Sequence, residues 1–452
     1  MKGSAPWLCL AAALALGQPQ AALSDSTPGA PGVPGTLERF TLGNGLRVAL
    51  CADSSAAAVD VAVWYDAGTR FERRGQSGIA HLFEHLMFRG STRFGPGEHA
   101  RRIEAAGGAS SAFTNPDHGC FFETVPASAL ALALALEADR MTGLTLDQRR
   151  LDETRAGIRI ERQLPLFNSP PALGRQRFVT TAMGTHPYGA PLFGSAKELD
   201  RVTLADCREW YRVRYRPSGA LLTVVGRFDP AEARRLIEHD FGGLSGPTGP
   251  EPGAPPPPLD APGHRASERG RPPLRMLWTG WTLPGRADPD LAPLALLSSI
   301  LVKGEGSRAD RALVQSRATC VYTDGDLEVL DEASVMFCML ALAPAADSLA
   351  VERDFQAQVD SLAWAPLPAE ELEHARLRAE SALLFGWQAV RGRAIAVGST
   401  LAAGGGEGDI PLQLARLRAC TPADVQRVAA RYLAASRRHA LWISPEPAGG
   451  AR

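Results

Sequence analysis

The sequence predicts an α+β protein of two similar domains, each a mostly antiparallel sheet packed with helices, joined by a linker rich in proline and glycine. Three observations lead there. Seventeen of the 32 residues from Gly242 to Pro273 are Gly or Pro, which divides the chain into a half covering 37–241 and a half covering 274–445. Thr203-Leu-Ala-Asp206, with Arg214-Tyr215 downstream, is echoed 218 residues later by Thr421-Pro-Ala-Asp424 with Arg431-Tyr432. Each Thr suits a helix N-cap, and each segment leads into an apolar strand, Ala220 to Val225 and His439 to Ile443. Within the first half, strand-like alternation and helix-like spacing occur side by side. At 452 residues, 45% of them hydrophobic, the chain has material for two cores.

In chain order, residues 1–24 read as an export signal: Lys2 is the sole early charge, an apolar run follows from Trp7 to Leu16, and small residues surround a cleavage region at Ala21 to Ser24. The run is about half the length a spanning helix needs, so no stable membrane span is expected after cleavage, and the expected location is periplasmic or secreted. Glu38 to Leu42, the turn Gly43-Asn44-Gly45 and Leu46 to Cys51 read as a hairpin. Val59, Val61, Val63 and Tyr65 alternate like one face of a half-buried strand. Segments 78–90, 98–106, 127–143 and 148–163 have helical spacing and length. Cys9 lies in the apolar run; the other six cysteines are dispersed, without a C-x-x-C pair, and read as buried small apolar residues. The net charge of −1 supplies no field that would draw the chain to nucleic acid. Function must rest on a local site.

That site is Gly78-Ile-Ala-His81-Leu-Phe-Glu84-His85-Leu-Met-Phe-Arg-Gly90. On a helix, His81 and His85 are four apart and project from one face, so both imidazoles can reach one metal ion. Glu84 sits one turn from His81 as a carboxylate base, completing an H-x-x-E-H pattern. Zinc needs a third protein ligand and an open fourth position. The downstream helix offers Glu153 and Glu161, and spacing alone does not choose between them.

Across most of the chain after residue 24, the sequence resembles the pitrilysin/insulinase family of zinc peptidases, in its short two-domain type, similar to the mitochondrial processing peptidase beta subunit and bacterial periplasmic relatives. The resemblance rests on Leu42-Gly-Asn-Gly-Leu-Arg-Val48, Trp64-Tyr-Asp-Ala-Gly68 with Glu72, the H-x-x-E-H helix, Gly107-Gly108 before Ala112-Phe-Thr114, Leu136-Glu-Ala-Asp-Arg-Met141, Glu161-Arg, His186-Pro-Tyr188 and Gly194-Ser195. It implies two α/β-roll domains and one zinc ion per chain, held by His81, His85 and Glu161, the last because it precedes an arginine and follows His85 by 76 residues. It also implies hydrolysis of peptides or unfolded protein segments with Glu84 as general base. Substrate would add as a strand along Ser111, Ala112 and Phe113, with Tyr322 contributing from the second half.

The sequence departs from the family at informative places. Ser111 stands where relatives usually carry Asn, and Thr154, beside Glu153, stands where a second carboxylate supports the metal site. Relatives place Arg seven residues before the Tyr; here that residue is Gln315, while Arg317 is expected to point elsewhere. A strand-core role for Tyr322 is an equal alternative. The incomplete pair implies a dimer in which a non-catalytic paralogue carries the Arg/Tyr side. The alternative function is a catalytically idle, metal-binding subunit of a peptide-binding complex. His99 and His118 are expected at the surface or in the substrate cleft, and His186 is expected to fix a loop.

Overall fold

The computed structural model describes residues 36–164, 169–246, 261–405 and 410–446. The expected export signal, Cys9 and residues 247–260 of the expected linker lie outside them. The first half runs β1 (Thr36–Thr41), β2 (Arg47–Ala52), β3 (Val59–Tyr65), α1 (Ile79–Leu86), α2 (Glu98–Ala105), β4 (Ala109–Thr114), β5 (Gly119–Val125), α3 (Leu130–Gly143), α4 (Gln148–Glu161), α5 (Pro170–Met183), α6 (Leu204–Arg214), β6 (Ala220–Gly226) and α7 (Pro230–Phe241). The second runs β7 (Arg265–Gly270), β8 (Met276–Pro284), α8 (Leu291–Leu301), a π-helical segment at Asp310–Ser316, β9 (Cys320–Glu328), β10 (Ala333–Leu342), α9 (Ser348–Trp364), α10 (Ala369–Gln388), α11 (Val390–Ala402), α12 (Ile410–Ala419), α13 (Pro422–Tyr432) and β11 (His439–Pro445).

The two sheets repeat one plan. The first is ordered β1-β2-β6-β3-β5-β4 and the second β7-β11-β8-β10-β9. Each contains one parallel pair, β2 with β6 and β7 with β11, and is otherwise antiparallel. Thr203 and Thr421 both form complete capping boxes with Asp206 and Asp424, starting α6 and α13, which precede the equivalent strands β6 and β11. The sequence echo is therefore the start signal of one repeated helix-strand unit. Residues 265–270, read as linker, form β7 at the edge of the second sheet.

Strand β3 is buried on both faces, not half-buried as the alternation suggests. Val59, Val61, Val63 and Tyr65 pack into the first core with α1 and α3. Ala62 and Trp64 face the other way, against Val397, Leu401 and Ala402 of α11, a helix from the second half. The exchange is reciprocal: Phe178, Ala182 and Met183 of α5 cover Trp278, Val335, Met339 and Leu441 of the second sheet. A period of two is the same whether one or both faces are covered, so a distant helix decides the burial. The six cysteines in the described residues are all buried and free. No helix among the described residues is long and apolar enough to cross a membrane.

Gly174 of α5 lies against the Trp278 indole and Gly398 of α11 against the Trp64 indole, each so close that a methyl group would overlap the ring. Ala ordinarily favours a helix interior over Gly by about 1 kcal/mol. Here overpacking, worth about 1–3 kcal/mol, should reverse that sign. Gly174→Ala and Gly398→Ala are each expected to lower the urea midpoint of unfolding; a rise in midpoint would contradict the exchanged packing.

Candidate metal centre

Helix α1 is set in place from both sides. Its N-cap, Gly78, is left-handed at φ 98° and offers no side chain to the first turn. Glu72 supplies the cap instead, its carboxylate accepting the backbone N–H groups of Gly78 and Ala80, both at 3.0 Å. Burial pushes the Glu72 carboxyl up to about 8 against the pull of those two hydrogen bonds. Ile79, Leu82, Phe83 and Leu86 anchor the helix in the first core. Phe193 packs edge-on against the His81 ring with centroids 4.6 Å apart. The loop carrying Phe193 is tied down by Arg162, whose Nη1 donates to the carbonyls of Phe193 and Gly194 at 3.1 and 2.8 Å. Arg162 thus explains why an arginine follows Glu161.

Three donor atoms converge above this helix. His81 Nε2 lies 3.4 Å from His85 Nε2, and Glu161 Oε2 lies 3.6 Å from the first and 3.0 Å from the second. Tetrahedral ligands at about 2.0–2.1 Å from zinc stand about 3.3–3.4 Å from one another, so the triangle has the size a zinc ion needs. Burial and the neighbouring His85 push His81 down to about 4, which leaves its ring neutral with a lone pair to offer. No donor is aligned for a hydrogen bond on the buried Glu161 Oε2. Two imidazoles and one carboxylate fit zinc and leave a fourth position unclaimed among the described residues.

Glu84 is not one of the three converging donors but lies near enough to feel the charges of His85 and Glu161. Burial raises the pKa of its carboxylate, outweighing the neighbouring Thr114 hydroxyl and backbone N–H, which lower it. Glu153 is remote from this arrangement, on an exposed face of α4 next to Arg149. Thr154 is buried, and its hydroxyl donates to the Arg150 carbonyl at 2.7 Å, so it is spent on its own helix. His81 Nδ1 is buried without a hydrogen-bond partner, where metal-binding histidines ordinarily have one.

Comparison with known proteins identifies the family. Residues 47–196 match the model of "Insulinase (Peptidase family M16)" and residues 201–378 that of "Peptidase M16 inactive domain". The chain belongs to peptidase family M16. It is 27% identical over 346 residues to the zinc protease PqqE of Helicobacter pylori, covering 75% of this chain and 78% of that protein. It is 29% identical over 205 residues to a probable mitochondrial-processing peptidase subunit beta of Arabidopsis thaliana, covering 45% and 38%. Among solved structures, a protease from Helicobacter pylori superposes with a TM-score of 0.86 at 23% identity, covering 91% of this chain and all of that one. The periplasmic protease PqqL of Escherichia coli gives 0.74 at 16%, covering 93% of this chain and 48% of that one. These last two likenesses establish the fold.

Within this M16 fold, Ser111, Ala112 and Phe113 lie on β4, the edge of the first sheet. Ser111 is exposed, Ala112 turns toward the first core, and Phe113 packs edge-on against Trp64 at 5.5 Å. Tyr322 sits on β9, the corresponding edge of the second sheet, and is 49% exposed, which rules out the strand-core role. Gln315 donates to Asp310 at 2.6 Å, while Arg317 pairs with Asp354.

Two histidine expectations need correction. His99 and His118 are both buried, not at the surface or in a cleft. His99 Nε2 pairs with Glu123 at 2.7 Å, and Arg140, bound to Glu123 and Glu137, occupies the charge-balancing role a cation would have there. His118 follows β4 in the turn to β5 and enters a buried ionic cluster between the halves: its Nε2 is 3.1 Å from Asp331 Oδ2 and its Nδ1 is 3.7 Å from Asp66. Sequence could not reveal this, because the partner lies 213 residues away. His186 does fix its loop, its Nδ1 accepting the Tyr188 N–H at 3.1 Å.

Burial lowers the His118 pKa, but the hydrogen bond to Asp331 and the nearby Asp66 carboxylate outweigh it and raise the ring to about 9. Asp331 shows the inverse: burial raises it, His118 and then Arg286 and Arg70 outweigh burial, and it falls to about 2. The stabilising contribution of His118 is therefore complete below its unfolded value of about 6.5 and is lost as pH rises through about 9. That of Asp331 is complete above about 4 and is lost as pH falls through about 2. Melting temperature should decline between pH 6.5 and 9, and His118→Gln should flatten that limb; an equal decline in the variant would show that another group titrates.

Proposed function

We propose that the chain is a zinc-dependent endopeptidase that hydrolyses peptide bonds in peptides or unfolded protein segments. The observation that carries this reading is a buried carboxylate, Glu84, within electrostatic reach of three converging donor atoms on His81, His85 and Glu161. One zinc ion, held by those three side chains, would polarise the scissile carbonyl and make water a competent nucleophile near neutral pH. Glu84 accepts a proton from the attacking water and passes it to the leaving amine.

The substrate adds as an extra strand to the free edge of β4, through the backbone of Ser111, Ala112 and Phe113. Backbone pairing does not require Asn at Ser111, which is why the departure there is tolerable. Tyr322, exposed on the edge of β9, meets the peptide from the second half. The chain is exported to the periplasm or secreted, and it works as a dimer whose partner is a non-catalytic paralogue supplying the Arg/Tyr pair. Gln315, bound to Asp310, leaves this chain without that arginine. The same feature favours a second reading, an idle metal-binding subunit that holds peptides uncut, although such a subunit has no need of Glu84.

The two readings separate in one experiment. Glu84→Gln should keep its zinc and lose about 10²–10⁴-fold in turnover of an unstructured peptide, the usual worth of a general base. His81→Ala and His85→Ala should lose the zinc itself on dialysis. Wild-type protein that binds zinc and peptide but yields no products, alone and with its paralogue, would favour the idle subunit.

A further inference from the structure

Thr114, whose hydroxyl and backbone N–H act on the Glu84 carboxylate, is the last residue of β4, and the four residues after it form the turn into β5. That turn is held from within by Asn115 and from outside on two sides. Asn115 Oδ1 accepts the N–H groups of Asp117 and His118 at 2.8 and 2.7 Å, and Asn115 N–H donates to the His118 carbonyl at 2.9 Å. On one side the backbone of Gly68 to Arg70 donates to the carbonyls of Asp117, Asn115 and Pro116 at 3.2, 3.2 and 3.0 Å. Gly68 permits this, since a Cβ there would overlap the turn's backbone.

The other side is supplied by the second half. Asp331, in the loop between β9 and β10, grips the turn twice: its N–H donates to Asp117 Oδ2 at 3.0 Å, and its carboxylate is 3.1 Å from His118 Nε2. The neighbouring Glu332 N–H donates to the Tyr188 hydroxyl at 3.1 Å, and that hydroxyl in turn donates to Asp117. Arg70 lies 3.1 Å from both Asp117 and Glu332, and Arg286 Nε lies 3.0 Å from Asp331 Oδ1. Asp117 and His118 are buried, so these contacts act with little solvent screening. Through-chain coupling from Asp331 to Glu84 then needs only the turn and Thr114.

We infer that Asp331 is a positioning residue for Glu84: the second half grips the β4–β5 turn through Asp117 and His118, and the turn sets Thr114, which aims the carboxylate. The inference rests on the peptidase reading for its consequence in turnover, but not for its mechanics. The M16 domain without a metal motif thereby acts on the metal-bearing domain of the same chain, independently of any residue it offers to substrate.

Three measurements on the full chain test this, using Asp331→Asn and, as a second route to the same contact, His118→Gln. Amide hydrogen exchange, with and without zinc, should show residues 114–118 exchanging about tenfold faster in either variant while the segment 79–86 keeps its protection. Zinc content should be unchanged, and kcat per zinc-loaded molecule on an unstructured peptide should fall about tenfold with KM within twofold, the range seen when groups supporting a metal site are removed. In a Thr114→Val background, which has already lost the hydroxyl, Asp331→Asn should add less than a twofold loss. A merely structural role would lower the melting temperature and the yield of folded protein without this split or this non-additivity. Unchanged exchange at 114–118, or a full tenfold loss repeated in the Thr114→Val background, would overturn the inference. Absence of any hydrolysis by the wild type would instead refute the peptidase reading, and the exchange result would still decide whether Asp331 sets the turn.

Discussion

Everything around the site serves one geometric requirement: two imidazole nitrogens and a carboxylate oxygen must meet at the spacing of a single coordination sphere. The i, i+4 relation on α1 brings the two histidines to one face, but it does not determine where that face points. Orientation comes from the apolar side of the helix in the first core, from the Glu72 cap on its free N–H groups, and from Phe193 against the His81 ring. Glu161 arrives from another helix, whose following residue, Arg162, ties down the loop that carries Phe193. The donors are therefore held by packing and hydrogen bonds that do not pass through an ion, the kind of support a precise metal site needs.

The second organising feature is the exchange of α5 and α11. Each sheet leaves one face uncovered by its own half, and the helix that covers it comes from the other. Trp64 and Trp278 fill equivalent places on the two sheets, and Gly398 and Gly174 receive them. Arg391 of α11 lies 2.7 Å from the buried Asp60 of β3, so the exchange also satisfies a carboxylate that would otherwise be stranded in the sheet. Neither half is a closed unit, and a linker rich in proline and glycine does not imply independent domains here.

Local chemistry was readable from sequence, and distant chemistry was not. The hairpin at Gly43-Asn44-Gly45, the capping boxes at Thr203 and Thr421 and the histidine pair on α1 depend on residues a few positions apart, so their signals are complete within a short window. The choice of Glu161 over Glu153 depended on resemblance, because helical spacing alone allows either; in the structure α4 turns Glu153 to solvent. His118 was misjudged because a histidine in a turn looks exposed until Asp331 is known to stand opposite it. Glu72 carried no local mark of its role as cap of a helix. Tyr322 was ambiguous because alternation cannot distinguish an edge strand from a central one.

The most direct test of the central claim is X-ray absorption at the zinc edge on the purified, zinc-loaded chain. One zinc per chain is expected, with only nitrogen and oxygen neighbours at about 2.0–2.1 Å, two of them showing the outer-shell scattering of imidazole. In dialysed His85→Ala, which loses its zinc, the edge itself should disappear. A sulfur neighbour at about 2.3 Å, or a spectrum with no imidazole contribution, would contradict the central claim.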